Sequence, residues 1–156
     1  MKNYTINPII KHDDLDYDLN DRGAEIYYNR YLNTRLRLIK DGEEAKGMCF
    51  NYATKNYNLE YCEDCLEYIK AKYKEVDISQ LQKGDIAIFY DDMPVGLHEH
   101  TVQHFAIVIK ASNNISDIII RSKWGDMGIF EGRLIDLPSD YGDRVIFYRK
   151  KVFKKT

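Results

Sequence analysis

From Gly84-Asp85 onward, the apolar residues of this chain fall in short runs rich in β-branched and aromatic side chains. The runs at 86–90, 104–110, 117–122, 129–131 and 145–152 are too short for ordinary helices and suit buried strands. Segment 91–101, with Pro94 and Gly96, reads as a loop; Ser112-Asn113-Asn114 reads as a turn, and 124–128 as a tight connection.

Before that point the spacing is helical. Tyr28, Leu32, Leu36 and Ile39 form one stripe on a helix predicted over 24–40, with Asp41-Gly42 as its stop. A second helix is expected over 48–55. A third, over 59–74, carries Cys62, Leu66, Ile69 and Tyr73 on one face. Helices followed by a meander of strands predict an α+β fold, with N-terminal helices packed on an antiparallel sheet of about five strands. The 156 residues make one domain at 24–152, preceded by an extension at 1–23 and closed by a basic tail at 153–156.

Charge narrows the partners. Lys and Arg number 23 against 25 Asp and Glu, a net of −2, so no global basic field exists to hold nucleic acid. Five aspartates between His12 and Asp21, and the basic run Arg149, Lys150, Lys151, Lys154 and Lys155, read as solvated termini. No apolar run approaches the roughly 18 residues of a membrane span. The first residues lack a signal-peptide core, which predicts a cytoplasmic protein or one exported without a cleaved signal. Three cysteines, an odd number, predict thiols rather than a disulfide framework.

Cys49 falls at the expected start of a helix, where free N–H groups and the macrodipole favour a thiolate. A thiolate is the nucleophile of cysteine catalysis, and an imidazole can hold it as an ion pair. The competing reading is a small buried hydrophobe. Cys62 and Cys65 form a C-x-x-C on an apolar helix face without a second ligand pair, so core packing is expected there rather than zinc. His98, His100 and His104 lie close enough in sequence for a metal site. His104 also opens a strand on the face of Ala106, whose small side chain lets a helix pack closely, and so suits a base for Cys49. A third residue must orient that imidazole. A three-residue turn at 112–114 places Ser122 opposite His104, while other turns offer Lys123 or Trp124; Asp126 and Glu131 follow as later candidates.

The order of these parts is distinctive. Cys49 is followed by Leu81-Gln82-Lys83-Gly84-Asp85-Ile86, then His104-Phe105-Ala106-Ile107-Val108, then Ser122-Lys123-Trp124-Gly125. Over about 46–149 the chain resembles the NlpC/P60 superfamily of papain-like cysteine peptidases and amidases, which includes CHAP-type domains. The family's usual Asp-Cys-Ser-Gly is Met48-Cys49-Phe50-Asn51 here. The resemblance implies a papain-like fold with Cys49 as nucleophile and His104 as base; the family's third position is usually His, Asn, Gln or Asp, and Ser122, offered by the hairpin register, departs from that pattern. Tyr52 and Trp124 would line the substrate site. It further implies hydrolysis of an amide bond, possible substrates being a peptide or peptidoglycan fragment, without cofactor or metal. The alternatives are an inactive binding module on that fold and a metal-binding histidine cluster.

Overall fold

A computed structural model describes residues 3–6, 37–41, 46–91, 102–124, 128–137 and 142–152. The elements are β1 (Tyr4–Thr5), β2 (Arg37–Asp41), α1 (Cys49–Thr54), α2 (Cys62–Lys72), β3 (Tyr73–Val76), β4 (Ile86–Tyr90), β5 (Val102–Lys110), β6 (Ile119–Lys123), β7 (Gly128–Arg133) and β8 (Arg144–Lys150). The strands form one antiparallel sheet in the order β1-β8-β4-β5-β6-β7-β2, with β3 also pairing β8. β1 and β3 follow one another along the same side of β8, at Val145 and Arg144 and then from Lys150 to Phe147.

The expected papain-like arrangement of helices on about five strands is corrected by this topology. Among the described residues the chain forms eight strands and only two α-helices, a sheet-rich α+β fold. Two of the additional strands come from segments that read as helix. Residues 37–41, predicted as the end of a long helix, pair with β7, and Arg37 donates to Glu131 at 2.8 Å. Tyr73–Val76, partly assigned to the third helix, leaves α2 directly and pairs with β8. In both places strand pairing overrides a weak helical propensity. The rest of the predicted helix over 24–40 lies outside the described residues.

The sheet is buried on both faces. On one, Ala87, Phe89, Ala106, Val108, Ile120, Trp124, Phe130, Val145 and Phe147 form a core that Ile6, Leu81, Leu134 and Leu137 complete. On the other, Ile86, Ile88, Tyr90, Phe105 and Ile146 meet α1 and α2 through Phe50, Ala53, Cys65, Leu66 and Ile69. Every residue of β4 is therefore buried, which is why its sequence shows a continuous apolar run rather than an alternation.

Gly84-Asp85, part of the sequence resemblance, has a structural task. Arg149 grips the buried Asp85 carboxylate with two hydrogen bonds of 2.8 and 2.7 Å, and the Gln82 N–H donates to it at 2.8 Å. The turn before β4 is thereby tied to β8. Arg149, expected in a solvated terminus, is instead a partner of the core.

Candidate functional site

Cys49 is the first residue of α1, as the sequence predicts. Gly47, at φ +74°, lets the chain enter the helix, and a side chain there would meet Asn51 at 2.9 Å. Asn51 Oδ1 accepts the Met48 N–H at 2.8 Å, while its Nδ2 donates to the carbonyls of Asn56 and Leu59 at 2.9 and 2.8 Å. One buried amide thus fixes both ends of this short helix. Phe50 packs edge-on against Phe105 of β5, with centroids 6.1 Å apart, and brings the Cys49 sulfur onto that strand.

The surroundings of Cys49 favour the thiol. Burial pushes its pKa up to about 11; backbone hydrogen bonds from Phe105, Phe50 and Cys49 itself oppose that rise, and the nearby Cys62 adds to it. Phe105 faces α1, and His104, one residue earlier, turns to the opposite face. There its ring lies 5.9 Å from that of Phe89, its partner across β4. It is 2% exposed, and burial lowers its pKa to about 3. The predicted nucleophile and base are carried by touching elements, but they look to different sides of β5.

Ser122 and Trp124 share the His104 face. The β5–β6 pairing runs from Lys110↔Ile119 to Ile107↔Arg121, and Ser122 pairs with Phe130 of β7. A register shift between Val108 and Lys110, together with the helical turn Ile115–Asp117 in the connection, replaces the simple three-residue turn. The buried Ser122 hydroxyl accepts the Trp124 indole N–H at 3.2 Å. Trp124 is 1% exposed and packs on Phe130 with centroids 5.1 Å apart, so it is a core residue. His98, His100 and Asp126 lie outside the described residues; within those, no group of three metal-ligating side chains forms. Cys65 packs in the core with Leu66 and Ile69, and Cys62 is partly buried.

Tyr52 leads to a feature that the sequence did not reveal. Its hydroxyl engages Arg121, whose guanidinium donates to Glu131 at 2.7 Å, and Arg37 donates to the other Glu131 oxygen at 2.8 Å. Burial pushes the Glu131 carboxyl up, but hydrogen bonds from Arg121 and Arg37 outweigh it and hold the group below the ordinary carboxylate range. Lys55 caps α1 in the left-handed conformation, φ 57°, with Nζ 3.7 Å from the Tyr52 ring centroid. Burial and the charge of Arg121 lower its pKa. Beside this row is a cavity of about 560 Å³ lined by Ile39, Lys40, Lys46, Tyr52, Lys55, Tyr57 and Ile129. Arg121 and Glu131 meet only because β6 and β7 pair them, which no local pattern announces.

No family model, curated protein or solved structure matches this chain. No helix among the described residues is long and apolar enough to cross a membrane.

Proposed function

We propose that this chain is a ligand-binding module in which Cys49 is a packed thiol. The observation that carries this reading is the placement of the two predicted catalytic groups: Cys49 lies on the face where Phe50 meets Phe105, and the buried His104 imidazole lies beside Phe89 on the other. Burial raises the pKa of the thiol and lowers that of the imidazole. An ion pair needs both charged and in contact. The cavity beside Tyr52 lies within the range of small-molecule sites, roughly 300–1,000 Å³.

A second reading keeps the cysteine hydrolase, with Cys49 as nucleophile, His104 as base and a peptide or peptidoglycan fragment as substrate. One observation favours it: backbone hydrogen bonds from Phe105, Phe50 and Cys49 converge on the sulfur, as donors would on a thiolate or an oxyanion. Incubation with peptide amides and muropeptides separates the two readings. The binding module releases no amine, and Cys49→Ala behaves as wild type. Turnover abolished by both Cys49→Ala and His104→Ala would establish the hydrolase.

A further inference from the structure

Among the described residues, the cavity bounded by β2, β7 and α1 is lined by charges of one sign. Lys40, Lys46 and Lys55 contribute three ammonium groups to its lining, which among the described residues contains no carboxylate. Glu131, behind Tyr52, already serves Arg37 and Arg121. The remaining surface is apolar or aromatic: Ile39 and Ile129 on the strands, and Tyr52 and Tyr57 on the helix side. Ile39 and Tyr57 are 37% and 52% exposed and so present apolar and aromatic surface to the cavity.

Lys55 supplies an independent sign. The left-handed position that ends α1 is the usual place for glycine, and a lysine costs stability there. Strain of this kind points to a function for the side chain that bears it. Here it places an ammonium group against the Tyr52 ring, at the cavity wall and beside Arg121.

We propose that this cavity binds a small anion carried on an aromatic body, such as an aromatic carboxylate, sulfonate or phosphate ester. The lysines neutralise the anion, and Tyr57, Ile39 and Ile129 cover the ring. The proposal deepens the binding-module reading and rests on it, but its test reads the cavity while the turnover assay reads Cys49, so each can fail alone.

The test is a fluorescence titration of the full chain with anilinonaphthalene sulfonate, beside its uncharged analogue phenylnaphthylamine. One saturable site is expected for the sulfonate, with markedly weaker binding of the neutral dye. Lys46→Gln and Tyr57→Ala should each weaken the sulfonate about three- to tenfold. Lys55→Gly should weaken it similarly while leaving the unfolding midpoint unchanged or higher, because glycine relieves the left-handed backbone; a purely structural lysine would not separate the two readouts. Equal affinity for both dyes, or sulfonate affinity unmoved by all three substitutions, overturns the proposal.

Discussion

His104 shows how burial alone can give a residue a measurable signature. A histidine whose pKa falls from 6.5 to about 3 on folding binds its proton more readily in the unfolded chain. Its neutral burial is therefore compatible with stability above pH 6.5 and is increasingly penalised as the pH falls toward 3. The sign is that of any group with a depressed folded-state value, and the size is on the order of a few kcal/mol across that window. Urea midpoints measured across this range should fall with acid in wild type and fall less in His104→Gln. Equal slopes would show that His104 is not the group responsible. Cys49 works at the other end: its raised thiol makes folding less favourable as the pH climbs from 9 toward 11. The position of Cys49 at a helix start was legible because Gly47, Asn51 and the apolar spacing are all local. Which way His104 points was not, because it depends on which face of the sheet receives the helices.

At the scale of elements, the stabilising contacts cross between segments distant in sequence. Asp85→Asn removes the charge that Arg149 grips and leaves a guanidinium short of its partner, at a cost of roughly 2–4 kcal/mol in urea unfolding. Gly142→Ala should be at least as damaging. Gly142 has φ +106°, and an added side chain would meet the Tyr90 backbone nitrogen at 2.7 Å. A midpoint unchanged by either substitution would show that these contacts do not hold the sheet together. The strand at 86–90 was readable from composition because both its faces are buried and the run is wholly apolar, and β8 was readable from its apolar stretch Val145-Ile146-Phe147. β2 was not, since Ile39 suits a helical stripe as well as an edge strand, and the pairing of this segment with Phe130 and Ile129 lies some ninety residues away.

For the molecule as a whole, the seam between β5 and β6 decides what the chain can do. Helix α1 lies against it, with Cys49 on the Phe105 side and His104 on the Phe89 side. The order of cysteine, Gly-Asp and histidine was visible in the sequence, but order does not set whether two side chains meet. The Arg37–Glu131–Arg121–Tyr52 row was invisible for the same reason, because strand register assembles it. The most direct measurement is the rate of iodoacetamide labelling at Cys49 against pH, in native wild type and in His104→Ala. A packed, unpaired thiol labels slowly at neutral pH, rises only toward its elevated value of about 11, and follows the same profile without His104. Rapid labelling at neutral pH that slows when His104 is removed would show a paired thiolate and contradict the binding-module reading.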